Sequence, residues 1–460
     1  MVKRKRNDTS KEDKPVETPA KTVKSAPTPS QAPDAVVTIQ VVTGSYERVL
    51  HGFTAGFAAS TLNTKDEASN ESDPSIQCVD TFLFEAHAVL SFSRSPAVSD
   101  EYPSVPTLAG NKILENPKNR ELGSLLHHSA SITALSFPSR SKLLAAGEDN
   151  EISISKTRDW SVVSTIKAPH PKVQGRPSGD TAPPGAAPSG VNHFAVHPSM
   201  KLMLSVGKGE KCMRLWNLVT GKKAGVLNFG REILVSVKEG KWSSGEGRRL
   251  AWNAAGEEFA VAFEWGAVVF GVDSTPKCRL LPSPRSKIHQ MKYISLAGDD
   301  DEKKDLLAVS TEDGRVILYS TTVLQDAEEG DDSTIPHATP VAQVGGKQAG
   351  LPGRIKDFEV LSLEEQASEI SNDFLLVTGN SDGVVRVWKV NGKSLVPAKK
   401  SKDTIRQTGK LLTTYETGNR ITCLAAFIML PAEDPSTLFD SADEESEEEE
   451  EESESDEDDE

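Results

Sequence analysis

One local pattern recurs along this chain and restricts its fold more than any bulk property. The clearest copy is Phe374-Leu-Leu-Val-Thr-Gly-Asn-Ser-Asp-Gly-Val-Val-Arg-Val-Trp388. Apolar and β-branched residues on both sides read as strands. Ser381-Asp382-Gly383 reads as the turn: Gly supplies a positive φ, and Asp hydrogen-bonds its own backbone. The unit returns at Leu306 to Tyr319, around Asp313-Gly314, and at Lys142 to Ile154, around Asp149-Asn150. Lys201 to Trp216 is a fourth copy, and Phe259 to Phe270 a fifth with a shortened turn. An apolar strand precedes each: Ile132 to Phe137, Val191 to Val196, Arg248 to Trp252, Ile288 to Ile294 and Ile355 to Leu361. Another follows each: Val162 to Ile166, Lys223 to Leu227, Cys278 to Leu281, Pro340 to Val344 and Lys410 to Tyr415. Four strands per repeat with a Gly/Asp turn in the middle predict the blades of a β-propeller.

The two ends of the pattern complement each other. Val37 to Leu50 is a sixth hairpin with no strand before it, and Arg420 to Met429 is an inner strand with no hairpin after it. Joined with Val79 to Phe84, they make one blade that closes the ring and hides two sheet edges. Between His87 and His128 the pattern is poor. Ala88 to Phe92 and Glu121 to Leu126 read as strands, but Ser95 to Asn119 is rich in Pro and Ser and has no hairpin signal. The expected fold is therefore all-β: a seven-bladed WD40-type β-propeller over residues 35–431, with a degenerate second blade at about 86–126.

The flanks are of another kind. The formal net charge is −16 over 460 residues, but Glu433 to Glu460 hold 18 acidic and no basic residues. The rest of the chain is thus +2, and residues 1–34 account for +3 of it. The ring is nearly neutral between a basic, Pro-rich head (residues 1–34) and a polyacidic tail (residues 432–460). Both flanks lack the apolar content to offset chain entropy, so both are expected to be disordered. Cys78, Cys212, Cys278 and Cys423 stand far apart and form no C-x-x-C pair, which argues against a disulfide framework or a zinc site. The basic start leads into no apolar stretch, and no run reaches the ~18 residues of a membrane span. A soluble intracellular protein without a membrane partner is expected.

Several stretches resemble a known family. Gly44-Ser-Tyr-Glu47, Leu125-Leu-His-His-Ser-Ala-Ser-Ile-Thr-Ala-Leu135, Asp159-Trp160 with Ser164-Thr-Ile-Lys-Ala168, and Val196-His-Pro-Ser199 with Arg214-Leu-Trp-Asn-Leu218 are similar to the WD-repeat factors for large ribosomal subunit assembly. That family includes the animal p21-activated-kinase-interacting protein. The similarity covers most of Val36 to Met429. It implies a nucleolar scaffold for 60S maturation, monomeric within a larger complex. The implied partners are assembly factors, ribosomal proteins and pre-ribosomal RNA. The alternative it implies is a signalling adaptor that binds and inhibits a p21-activated kinase. The second blade, where the family shows a further Gly/Asp hairpin, departs from it.

The search for chemistry returns structural residues. In WD blades a His before the inner strand, an Asp in the turn and a Trp on the third strand form a buried hydrogen-bonded set. His128, Asp149, Trp216, Asp313, Asp382 and Trp388 are read as such turn and blade residues, in preference to a catalytic His/Asp pair. His193 and His197 are read as strand residues, not as half a metal site. Gly207-Lys-Gly209 and Gly221-Lys-Lys223 do not fit the phosphate-loop spacing, and no G-x-S-x-G or H-E-x-x-H is present. No catalytic residue, metal or cofactor is expected. Lys3, Arg4, Lys5 and Arg6 form a nuclear-import candidate, which the resemblance favours over a merely solvated basic end. Lys399-Lys-Ser-Lys402 and Arg248-Arg249 are weighed as phosphate contacts, with solvated loop charge preferred because no interleaved aromatic set accompanies them. Ser441, Ser446, Ser453 and Ser455 lie among acids and suit an acidophilic kinase. The tail itself reads equally as a solubilising brush or as a long-range attractor of basic partners.

Overall fold

A Gly/Asp turn of this kind favours one residue in the left-handed region, and four of the hairpins place one there. In the computed structural model Gly383 has φ +86°, Gly314 +85° and Gly209 +69°. The hairpin with no Gly at that place puts Asn150 there at φ +60°, which Asn tolerates better than most residues. At Gly383 a Cβ would also stand 2.8 Å from Asn419 O, so close approach of the neighbouring unit excludes a side chain as well.

The structure describes residues 36–47, 49–58, 62, 78–85, 127–170, 190–240, 243–296, 304–326, 333–349, 353–363, 373–395 and 405–429. Among them six four-stranded antiparallel units are seen. Unit 1 contains β1 (Val36–Ser45), β2 (Val49–Ala58) and β3 (Cys78–Glu85). Unit 2 is β4 (Ile132–Ser139), β5 (Lys142–Gly147), β6 (Glu151–Lys156) and β7 (Val162–Lys167). Unit 3 is β8 (Val191–Val196), β9 (Leu202–Gly207), β10 (Cys212–Asn217) and β11 (Lys222–Asn228). Unit 4 is β12 (Arg249–Trp252), β13 (Glu258–Ala262), β14 (Ala267–Gly271) and β15 (Pro276–Leu280). Unit 5 is β16 (Ile288–Leu296), β17 (Lys304–Thr311), β18 (Arg315–Gln325) and β19 (His337–Gly345). Unit 6 is β20 (Ile355–Ser362), β21 (Asp373–Asn380), β22 (Val384–Asn391) and, after the two-residue β23 (Arg406–Gln407), β24 (Lys410–Glu416). The last strand, β25 (Ile421–Met429), pairs with β1 and gives unit 1 the order β25-β1-β2-β3. The first and last described strands therefore meet in one sheet, as the two complementary fragments require.

The strands of the five inner repeats fall where the apolar pattern sets them, and three features go beyond it. β2 runs on to Ala58. β18 continues to Gln325, so part of the inserted loop before β19 is a hairpin arm, with Gln325 opposite His337. A short helix, Arg231–Ser236, occupies the loop before β12. The outer strands β15 and β19 also touch in parallel at Arg279 and His337, joining units 4 and 5 edge to edge. Residues 86–126, on which the count of seven depends, lie outside the described residues.

The inner strands pack in sequence, β4 on β8, β8 on β12, β12 on β16, β16 on β20 and β20 on β25. Five apolar clusters fill the five gaps between neighbouring units. Between units 6 and 1, for example, Leu361, Leu375, Val377 and Val385 pack against Ile39, Val41, Phe53 and Leu424. Alternation explains this: each strand buries one residue set toward the preceding sheet and the other toward the next, so both faces are apolar. At the inner edge a polar clasp joins each unit to the next. Thr133 Oγ1 donates to Val191 O, Asn192 Nδ2 to Gly247 O at 2.9 Å, and Arg249 Nε to His289 O at 3.1 Å. Gln290 Nε2 donates to Asp357 Oδ1 at 3.2 Å, and Leu424 N to Asp357 Oδ2 at 3.0 Å. The backbone groups freed where inner strands diverge are thus satisfied across the seams. Among the described residues no helix is long and apolar enough to cross a membrane.

Candidate interaction rim

In a four-stranded blade the start of the first strand and the turn between the second and third share one end. That end collects the loops before β4, β8, β12, β16, β20 and β25 together with the Gly/Asp turns. His128 and Asp149 meet there. His128 Nδ1 lies 3.2 and 3.1 Å from the two carboxylate oxygens of Asp149, and Nε2 lies 2.8 Å from Ser153 Oγ. Asp149 also accepts from Ser129 N at 3.0 Å and Glu151 N at 3.2 Å. Burial alone would raise its pKa, but the bonds from His128 and the two backbone amides outweigh that and hold the carboxyl below its usual range. These bonds pin the turn after β5 to the segment that enters β4.

Three other turns solve the same problem with arginine. Ser153 follows Asp149 by four residues, and a hydroxyl there is too short to meet the carboxylate without the imidazole between. Arg214 follows Glu210 by four, and Arg386 follows Asp382 by four; these side chains reach the acid directly. Arg214 donates through two nitrogens, with NH2 2.5 Å from Glu210 Oε1. In unit 5 Thr311 Oγ1 and Arg315 Nε hold Asp313 at 2.5 and 2.8 Å. The third-strand tryptophans bond elsewhere: Trp216 Nε1 donates to Ser205 Oγ at 2.8 Å, and Trp388 Nε1 to Thr378 Oγ1 at 3.3 Å. Asp382 and Trp388 thus belong to separate pairs, and no single unit among the described residues contains a His, Asp and Trp joined together. The i, i+4 spacing of Glu210/Arg214 and Asp382/Arg386 was the available signal for this arginine device.

His193 and His197 part company. His193 is half-buried and accepts from Leu250 N through Nδ1 at 3.3 Å. His197 lies 2.8 Å from Ser199 Oγ and 3.1 Å from Gly256 O. Among the described residues no group of three or more His, Cys, Asp or Glu side chains is placed to hold a metal. Lys3, Arg4, Lys5 and Arg6, the serines Ser441, Ser446, Ser453 and Ser455, and Lys399 to Lys402 lie outside the described residues. Arg249 is drawn inward to His289 O and is not a free surface contact, because its alternating strand position points it at the inner edge. Arg248 pairs with Glu264 at 3.4 Å.

The inner edge is strongly cationic around His289. Its buried Nε2 has no hydrogen-bond partner among the described residues. Burial, and then Lys356, Arg249, Arg354 and Arg248, hold the imidazole down at about 4. A histidine depressed in the folded state adds stability above its unfolded value near 6.5, and that stability is lost as pH falls from there toward 4. His289→Gln should therefore blunt the acid loss of stability by on the order of 2 kcal/mol between pH 7 and pH 5. Urea unfolding of both proteins at the two pH values measures it, and an equal acid loss in the variant would refute the assignment.

What sequence reasoning missed is the aromatic component of this rim. Trp265, in the tight turn between β13 and β14, has the Arg285 guanidinium 4.3 Å from its ring centroid and Lys287 Nζ at 5.3 Å. Tyr46, in the turn between β1 and β2, is 73% exposed and has Arg420 at 5.9 Å. These pairs bring together residues 20 or more positions apart, so no local motif announces them.

The fold is a β-propeller of the WD40 type, and the family model described as "WD domain, G-beta repeat" matches residues 119–154. Over most of its length the chain has homologues of known name. It is 24% identical over 403 residues to the "p21-activated protein kinase-interacting protein 1-like" of Danio rerio, covering 87% of this chain and 83% of that protein. It is 25% identical over 416 residues to "Protein MAK11" of Saccharomyces cerevisiae, covering 84% and 82%. A shorter similarity, 30% over 162 residues, links 33% of the chain to 40% of the "Shk1 kinase-binding protein 15" of Schizosaccharomyces pombe.

Proposed function

We propose that this protein is a nucleolar WD-repeat scaffold required for assembly of the large ribosomal subunit, acting by binding and without catalysis. The observation that carries the reading is similarity to Protein MAK11 along 84% of the chain, together with the resemblance of Gly44 to Glu47 and Leu125 to Leu135 to large-subunit assembly factors. The rim suits such a role. Its loops come from successive blades held rigidly by the inner-edge clasps, so several partners can be bound at fixed mutual positions. Among the described residues its turn acids are engaged by arginine, lysine, imidazole or backbone amides, which suits binding rather than acid–base chemistry. Lys3 to Arg6 serve as the import signal in this reading. Assembly factors and ribosomal proteins of the precursor are the partners, and the polyacidic tail attracts the basic ones among them.

Sedimentation of the tagged full chain through a sucrose gradient tests the proposal. The protein should travel with large-subunit precursors, and its depletion should block maturation of large-subunit precursor RNA. A protein that stays at the top of the gradient, with precursor processing unchanged on depletion, defeats it. A second reading is favoured by two relatives, one named as a p21-activated kinase-interacting protein and one as an Shk1 kinase-binding protein: the chain binds a kinase of that kind. Co-purification with such a kinase, independent of ribosomal particles, would support that reading instead.

A further inference from the structure

We infer that the rim of units 4, 5, 6 and 1 is a binding site for single-stranded RNA, with phosphates on Arg285, Lys347, Lys356 and Arg420 and bases against Trp265 and Tyr46. This deepens the assembly reading and rests on it, since a ribosomal precursor is the RNA-rich partner that reading supplies. Three observations carry it.

The first is unspent positive charge. A cleft of about 480 Å³ opens between the loops of units 4, 5 and 6, with Trp265, Arg285, Lys287, Lys347 and Arg354 among its walls. Its carboxylates are already committed, Glu312 to Arg354 at 3.2 Å and Asp313 to Arg315 at 2.7 Å, and so is the adjacent Glu264, to Lys287 at 2.7 Å and Arg248 at 3.4 Å. Arg285, Lys347, Lys356 and Arg420 have no carboxylate partner among the described residues. Arg285 donates only to the Lys238 carbonyl, at 3.1 Å.

The second is the crowding of these cations. Burial, then Arg354, Arg420 and Arg249, hold the Lys356 ammonium below the usual lysine value, against the opposing pull of Glu312. Cations fixed this close repel one another, and a polyanion laid across them relieves the repulsion while releasing its own counterions. Lys356 also lies between the two ends of the array: it stands at the start of β20 beside Arg354, and β20 packs on β25, which follows Arg420, with Asp357 Oδ2 accepting from Leu424 N at 3.0 Å.

The third separates RNA from an acidic protein segment. Two aromatic rings stand on the rim, each with a guanidinium at its ring: Trp265 with Arg285 and Tyr46 with Arg420. Tyr46 is 73% exposed, where an aromatic ring gains nothing from burial. Stacking platforms interleaved with cations are what unpaired bases and their backbone require. A run of glutamates uses the charge and has no use for the rings.

Fluorescence anisotropy with the purified full chain and a fluorescein-labelled single-stranded RNA of about 15 nucleotides, from 50 to 200 mM KCl, is the test. Affinity should fall steeply with salt. The double variant Arg285→Ala/Arg420→Ala should bind at least about tenfold more weakly and lower the salt slope by roughly 1.4, two phosphate contacts' worth. Tyr46→Ala, at a position too exposed to threaten folding, should weaken binding roughly fivefold to tenfold and leave the slope unchanged. The inference is overturned if the wild-type chain does not bind RNA at 50 mM KCl, or if the double variant binds as the wild type does. It is also overturned if a synthetic peptide of residues 433–460 binds the rim more tightly than RNA and ignores Tyr46→Ala, which would assign the rim to acidic protein. Gradient sedimentation of the same proteins is read separately. Co-sedimentation with precursors but no RNA binding sinks this inference and leaves the assembly reading standing.

Discussion

Truncation after Asn419 should abolish the fold, whereas truncation after Met429 should not. β25 pairs with β1 from Thr38 opposite Met429 to Ser45 opposite Ile421. Removing it exposes the edge of β1 and uncovers Ile39 and Val41, both fully buried, on one side. On the other it uncovers Leu361, Val377 and the face of unit 6 against which β25 packs. Ile421, Leu424, Ala425 and Ala426 are buried themselves and vanish with the strand. Each large apolar side chain returned to water costs about 1.5–3 kcal/mol, so a handful exceeds the whole stability of an ordinary domain, roughly 5–15 kcal/mol. Asp357 Oδ2 also loses Leu424 N, its donor across the seam. The longer truncation should therefore give insoluble protein, because an unpaired apolar strand edge templates association. The shorter one removes all 18 acids of residues 433–460 and keeps every described strand. Its urea midpoint should lie near that of the full chain. A soluble, cooperatively unfolding product that lacks β25 would mean that ring closure is not what holds unit 1.

The closure was legible in the sequence because it rests on pattern alone. Val37 to Leu50 lacks a first strand and Arg420 to Met429 lacks a hairpin, and alternating apolar residues identify both as strands. The five inner repeats were legible for the same reason. The rim was not, because its residues are distributed across turns of different blades. Trp265 sits in a hairpin of unit 4, and its partner Arg285 sits in the loop toward unit 5. Only the ring brings them together. Arg249 shows the reverse case. Beside Arg248 it looks like a surface pair, yet strand alternation sends one side chain to Glu264 at the rim and the other inward to His289 O. The hydrogen-bonded set was legible in unit 2 through His128 and Asp149. It was misjudged in unit 6, where Arg386 takes the place of an imidazole.

That substitution of arginine for histidine gives the second large effect, at Asp313. Arg315 is 6% exposed and makes bonds in three directions: Nε to Asp313 Oδ2 at 2.8 Å, NH1 to Ser283 O at 2.5 Å and NH2 to Pro284 O at 2.9 Å. It ties the turn after β17 to the loop between units 4 and 5. Asp313→Ala leaves a buried guanidinium without its counter-charge and frees Thr311 Oγ1 of its acceptor at 2.5 Å. Breaking one side of such a pair typically costs about 3–5 kcal/mol, more than the pair itself contributes. The two carbonyls that remain soften the loss, so about 3 kcal/mol is expected, read as a lowered urea midpoint at unchanged m. Replacing both partners, Asp313→Ala with Arg315→Met, should recover at least half of that loss, because no uncompensated charge is then left inside. The loop that Arg315 holds also carries Arg285 and Lys287. Unchanged stability in Asp313→Ala, or a double variant less stable than the single, would show that the carboxylate does not neutralise Arg315.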